Sequence, residues 1–327
     1  MTNIRTLALT ALLALSSAVS HAVAGDPPAA PAAGAAKAKQ EFIYDDKADA
    51  AKEIDAAIAR AKRNHARVLI QWGANWCGWC KKLHATCASD KDLAKELRYE
   101  YEVVLVNIGQ FDRNMELATK LGADLKKNGV PFLTVLADDG KPVANQETGS
   151  LEDPKAKAHD PAKVMAFLKA NQAATLKASD VLAAGVARAK ADGKLVFLHF
   201  GAPWCGWCHK LEDWMAKPEI AAVLSKAFVD VKIDTDRMDG GQELLNAESK
   251  GKNGGIPWCE ILGADGKALV NSNAPKSGNI GFPAQADEIA WFAEMLKQSG
   301  AKLGAEDVAV LTSSLEQPAK KPAQKQG

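Results

Sequence analysis

The chain is 327 residues long, 47% apolar and 25% charged, enough for two domains with room for a third. A formal net charge of +1 argues against nucleic acid as the main partner, because phosphate binding needs a strong basic field. After residue 24, no stretch is long and apolar enough to span a bilayer.

At the N-terminus, Arg5 precedes an apolar run from Leu7 to Val19, and Ala22-Val23-Ala24 supplies a small-x-small pattern. This predicts a signal peptide over 1–24, cleaved after Ala24, rather than an uncleaved anchor, for which the apolar run is too short. No cysteine precedes Cys77, so no lipid is expected on the new N-terminus. The mature protein is expected to be exported, most simply to a bacterial periplasm, with no stable membrane insertion. Disulfides persist there, and thiols stay reduced only with help. Residues 25–40, GDPPAAPAAGAAKAKQ, read as a flexible Pro/Ala-rich linker.

Beyond the linker the chain repeats itself. Residues 60–83 align with 188–211, and GVPFLTVLADDGK (129–141) faces GIPWCEILGADGK (255–267). Each copy opens with an amphipathic helix, carried by Ile54, Ile58 and Ala61 in the first and Val181, Gly185 and Ala189 in the second. A short apolar strand follows, RVLIQWG or KLVFLHFG, and runs into WCGWC. The spacing then predicts one helix over 78–97 or 206–226, and a strand at YEVVLVNI or FVDVKID. Next comes a helix over 114–121 or 241–250, the first ending at Gly122, suited to a left-handed cap. A strand pair turns at DDGK or ADGK, where Asp-Gly signals a hairpin, before a last helix. The predicted order is α-β-α-β-α-β-β-α, twice, over domains 41–172 and 173–300. The remainder, 301–327, ending SSLEQPAKKPAQKQG, is expected to be a disordered tail.

Two CxxC pairs have three readings. Four cysteines could hold zinc, but structural zinc pairs lie on short knuckles, whereas each pair here opens an apolar-faced helix of its own repeat. A static staple closing four residues would constrain little unfolded-chain entropy. The third reading is thiol–disulfide exchange. WCGWC between strand and helix, with a downstream Val-Pro or Ile-Pro, recurs in order in both copies, and the chain resembles the thioredoxin superfamily over about 42–172 and 175–298. The basic residues and Leu after each motif look like its bacterial thioredoxin-like branch.

The fold class expected is therefore α/β, two tandem thioredoxin-like folds, each a central mixed sheet flanked by helices. The helix dipole and free N–H groups favour a thiolate on the first cysteine. Cys77 and Cys205 are the expected nucleophiles, and Cys80 and Cys208 the resolving thiols that release the product. The resemblance implies cis peptide bonds at Pro131 and Pro257, where an extended client would lie beside the sulfur, and implies that Trp76 and Trp204 flank the site. Trp258 could touch substrate or simply pack in the core. The Gly-Trp dipeptide between the cysteines matches neither the reducing nor the strongly oxidising members, so it does not set the direction of electron flow.

Thioredoxins carry a buried acid six residues before the first cysteine. Here Gln71 and His199 stand there. Gln cannot take a proton; His199 is either a proton relay or a neutral core histidine. His209, Lys81 and Lys82 could favour the thiolates by charge. Cys87 and Cys259 have no counterpart between copies and read as buried core thiols, an extra redox partner or an interdomain bridge being the other readings.

The activity expected is an exported thiol–disulfide oxidoreductase acting on protein thiols, with a redox partner protein, no metal and no organic cofactor. Its rivals are a specialised reductant or chaperone for apocytochrome or metal-site cysteines, and a non-catalytic client-binding module.

Overall fold

The computed structural model describes residues 42–316. The predicted signal peptide and linker and the last eleven residues lie outside the described residues. In the first half, Asp49 caps α1 (Ala50–Asn64) by accepting from the Lys52 N–H, and the helix stops at His65 in the left-handed region. Strand β1 (Arg67–Gly73) leads to α2 (Gly78–Ser89), α3 (Lys91–Glu100) and β2 (Tyr101–Asn107). Short α4 (Met115–Lys120) and α5 (Leu125–Asn128) precede the hairpin β3 (Phe132–Leu136) and β4 (Pro142–Glu147). A two-residue pair, β5 (Glu152–Asp153) and β6 (Ala158–His159), comes before α6 (Pro161–Asn171).

The second half repeats the plan: α7 (Ala178–Asp192), β7 (Leu195–Gly201), α8 (Gly206–Met215), α9 (Pro218–Ala227), β8 (Phe228–Asp234), α10 (Gly241–Glu248), β9 (Trp258–Leu262), β10 (Ala268–Asn271), the small pair β11 (Asn273–Ala274) and β12 (Gly278–Asn279), and α11 (Ala286–Gln298). Helix α12 (Ala305–Glu316) has no counterpart among the described residues of the first half.

Each half builds a mixed four-stranded sheet, ordered β2-β1-β3-β4 and β10-β9-β7-β8. The central strand runs parallel to the strand after the CxxC helices and antiparallel to the hairpin strand. Alternation along β1 sends Val68, Ile70 and Trp72 toward α1 and Leu69 toward α2, α3 and α6. Trp72 is fully buried, and its indole N–H reaches Thr134 Oγ1 at 2.9 Å. In the second half, α7 lies close against β8 because Gly185 has no side chain; a Cβ there would sit 2.2 Å from Val231 Cγ2.

Two expectations fail. The long helix after each CxxC pair is two helices. In the first half, the Asp90 carboxylate accepts from the Asp92 and Leu93 N–H groups, ending α2 and starting α3. In the second, Pro218 opens α9, where its missing N–H and fixed φ suit a helix start and not an interior. The disordered tail over 301–327 also fails as far as Glu316. Leu311 and Leu315 of α12 are buried against the core, Ser314 accepts from the Trp214 indole at 2.8 Å, and Asp307 pairs with Lys226 at 2.6 Å. The apolar spacing of Val308, Leu311 and Leu315 was the signal for this helix.

Candidate active site

Both CxxC pairs stand where a central strand ends and a helix begins. Cys77 is the N-cap of α2 and Cys205 of α8. Each is bonded to the second cysteine of its motif. The Cys80 N–H points to Cys77 Sγ at 3.0 Å, and the Cys208 N–H to Cys205 Sγ at 3.1 Å. When the bond opens, these N–H groups and the helix dipole face a developing thiolate. All four cysteines are at least 95% buried, so attack must come through a narrow approach over Cys77 or Cys205.

Val130–Pro131 and Ile256–Pro257 are cis. The carbonyl before each proline lies beside the first cysteine, Val130 O at 3.5 Å from Cys77 Sγ and Ile256 O at 3.6 Å from Cys205 Sγ. The proline carbonyls accept from Thr148 Oγ1 at 2.7 Å and Asn279 Nδ2 at 3.0 Å.

Trp76 and Trp204 are about half exposed on the rim. The Trp76 indole donates to Gly109 O at 2.6 Å and its ring leans on Phe111. The Trp204 indole donates to Asp236 Oδ2 at 3.0 Å. The second tryptophan of each motif lies under a lysine, Lys82 over Trp79 and Lys210 over Trp207. Trp79 also meets the buried His159 edge-on, whereas Trp207 stacks on Phe282 and stays 52% exposed. His209 is exposed and contacts Pro203 O at 2.9 Å, and Trp258 is wholly buried in the core.

Behind the sulfurs the two halves diverge. In the first, Gln71 is buried and its amide donates to the Tyr44 hydroxyl at 2.7 Å. That phenol fills the space over Gly73, against Cys80 Sγ, and burial pushes its pKa well up, so it stays neutral. In the second, His199 is buried and its Nε2 lies 3.0 Å from Asp230 Oδ1, turned to the neighbouring strand. The space over Gly201 is bordered by Cys208 Sγ and Glu212 Oε1, 3.4 and 3.6 Å from where a Cβ would stand. Glu212 in turn pairs with Lys232 at 2.5 Å, both side chains being more than nine-tenths buried.

Cys87 and Cys259 are free. Burial pushes the Cys87 thiol up to about 12, aided by Asp90, and raises Cys259 further still, so both stay protonated. Cys87 lines an apolar cavity of about 240 Å³ with Leu69, Leu97 and Leu168. Among the described residues, no three His, Cys, Asp or Glu side chains form a metal-binding group.

Tyr44, Lys232 and Glu212 escaped the sequence reading. Glu212 was within reach of it, since a residue four after Cys208 shares its helix face. Tyr44 carried no local signal.

Residues 54–159 match a family model described as a thioredoxin-like domain, and 177–264 one described as thioredoxin-like. Among solved structures, a disulphide isomerase from Xylella fastidiosa Temecula1 is 30% identical, covers 40% of this chain and 98% of its own, and gives a TM-score of 0.36. A DsbH oxidoreductase is 23% identical over 38% of this chain and 86% of its own, with a TM-score of 0.25. A thioredoxin from Thermus thermophilus is 17% identical over 36% and 81%, with a TM-score of 0.28. An uncharacterized Caenorhabditis elegans protein is 29% identical over 127 residues, 36% of this chain; the chain spans 17% of that relative's length.

Proposed function

Because the chain belongs to the thioredoxin superfamily, with two thioredoxin-like domains in tandem, we propose that it is an exported thiol–disulfide oxidoreductase whose Cys77/Cys80 and Cys205/Cys208 pairs exchange disulfides with protein clients. The observation that carries this is the same arrangement formed twice. A bonded cysteine pair caps a helix, and a backbone carbonyl before a proline lies within 3.6 Å of the first sulfur. That carbonyl edge suits an extended client segment laid beside the nucleophile.

The chemistry follows from the positions. A reduced pair attacks a client disulfide through the thiolate of Cys77 or Cys205, forming a mixed disulfide and freeing one client sulfur, which takes up a proton. The second cysteine loses its proton and attacks the first, closing the pair and releasing the other client sulfur. Two electrons move from pair to client. The reverse sequence oxidises a client dithiol and leaves the pair reduced. Neither direction calls for a metal or organic cofactor, and each needs a redox partner to reset the pair. The half-exposed tryptophans at each rim offer apolar contact to a client chain. Export rests on the N-terminal sequence pattern.

The test is the reduction potential of each pair, measured by equilibration with glutathione while the other pair is alanine. Values near about −270 mV would make it a reductase, and values of about −120 to −180 mV an oxidase or isomerase. Failure of both pairs to equilibrate would refute the proposal and favour a client-binding module.

A further inference from the structure

Residues of the first half reach the second redox centre from below and from above. Below, Lys232 on β8 pairs with Glu212 and also donates to Asn64 Oδ1 of α1 at 2.7 Å. Above, Asp236 accepts from the rim residue Trp204 and from Tyr99 of α3, each at 3.0 Å. Between them, the Arg237 guanidinium clamps the carbonyls of Asn64 and His65 and pairs with Glu100 at 2.8 Å.

We propose that Glu212 is the proton acceptor for Cys208 in the second centre, held in position by Lys232 and, from the first domain, by Asn64. This rests on the thiol–disulfide reading above. In the resolving step the Cys208 thiol gives its proton to the Glu212 carboxylate. The Cys208 thiolate attacks Cys205 Sγ, the Cys205–Cys208 bond forms, and the client sulfur leaves as a thiolate that is protonated from water. Glu212 then returns its proton to solvent. Because Gly201 lacks a Cβ, Sγ and Oε1 border one methyl-sized space, 3.4 and 3.6 Å from where the Cβ would stand, across which a bridging water can carry the proton.

The route to solvent is the cleft between the domains. Glu212, His199, Asp230 and Lys232 line a cavity of about 750 Å³ together with Arg63 of α1, His65 just past its end, and Arg188 of α7. Lys62 and Asp138 line it too. On its own helix Glu212 faces His209, with Nδ1 4.0 Å from Oε2. The nearest charge is therefore Lys232, and Asn64 fixes where that charge sits. The first centre has no equivalent: the Tyr44 phenol occupies the space beside Cys80, with the non-titrating Gln71 behind it.

The experiment uses the full chain with Cys77→Ala and Cys80→Ala, so that only the second centre reports. The reduced protein is mixed with oxidised glutathione, quenched in acid at intervals and alkylated, and mass spectrometry separates the Cys205–glutathione mixed disulfide from the closed pair. The closure rate is followed from pH 5 to pH 9. E212Q should close on the order of 10²-fold more slowly than the parent at pH 7 and change the shape of the pH profile. E212Q/K232M leaves no unpaired buried charge and must behave the same way. N64A should shift the profile from the parent's. A parent that never forms the mixed disulfide overturns the proposal together with the thiol–disulfide reading. If the mixed disulfide forms and both Glu212 variants close with the parent's pH profile, the assignment of Glu212 alone is wrong. An N64A profile superimposable on the parent's overturns the role of the first domain.

Discussion

Glu260 is a carboxyl of the second half whose charged form burial disfavours, and replacing it with glutamine should stabilise the protein at neutral pH. It sits on β9 at 2% exposure, with one carboxylate oxygen buried and without a partner. Burial, then the charge and hydrogen bond of Glu248, push its pKa up to about 8, against weaker help from Lys250 and Asn271. The sign follows directly. A carboxyl raised in the folded state binds its proton more tightly there than in the unfolded chain. It therefore costs nothing below the unfolded value near 4.5, costs progressively more as pH rises, and reaches a plateau above about 8. At pH 7 the cost is at most about 3 kcal/mol, and at pH 5 under about 1 kcal/mol. E260Q keeps the shape and the hydrogen-bonding capacity without the titration. Urea unfolding followed by tryptophan fluorescence should show wild type and E260Q close together at pH 5. At pH 8 the variant should lead by a few kcal/mol. A variant less stable than wild type at every pH, with the same slope, would mean that Glu260 is ionised in the fold, and the reasoning would fail.

The first domain should show the opposite slope. Burial, then the charge of Lys82, lowers His159 to about 4, so stability present above pH 6.5 is lost as pH falls toward 4. H159F should remove about 1–3 kcal/mol of that acid sensitivity, read from unfolding at pH 4.5 and pH 7.5. Y44F strips the hydroxyl that accepts from Gln71, leaving that amide with Cys80 O at 3.4 Å; a loss of about 1–3 kcal/mol is expected by urea titration, with the potential of the second centre unchanged. G185A drives a methyl into Val231 and should cost about 1–3 kcal/mol, and equal stability would show that α7 shifts freely on β8.

What the sequence disclosed and what it hid divide along physical lines. The doubled strand–CxxC–helix order was legible because periodicity and turn chemistry are local, and so were the four cysteines; the cis bonds at the two prolines were expected only from the family resemblance. The helix break at Asp90 was local too, but its cap lay inside an unbroken helical pattern. The polar groups behind the sulfurs were hidden for another reason. Tyr44 meets Gln71 and Asn64 meets Lys232 across sequence separations of 27 and 168, contacts that only the folded sheet and the docked domains create. Reading outward from the strand position pointed to His199, whose ring is engaged by Asp230, while the carboxylate nearest Cys208 comes from the helix.

The seating of α1 beside β8 also bears on solubility. β8 is the edge of the second sheet, and an edge strand is a template onto which a strand from another molecule can add. Here Asn64 and His65, at the end of α1, take the Lys232 and Arg237 donors along that flank. A strand adding to that edge would have to displace these contacts with the first domain.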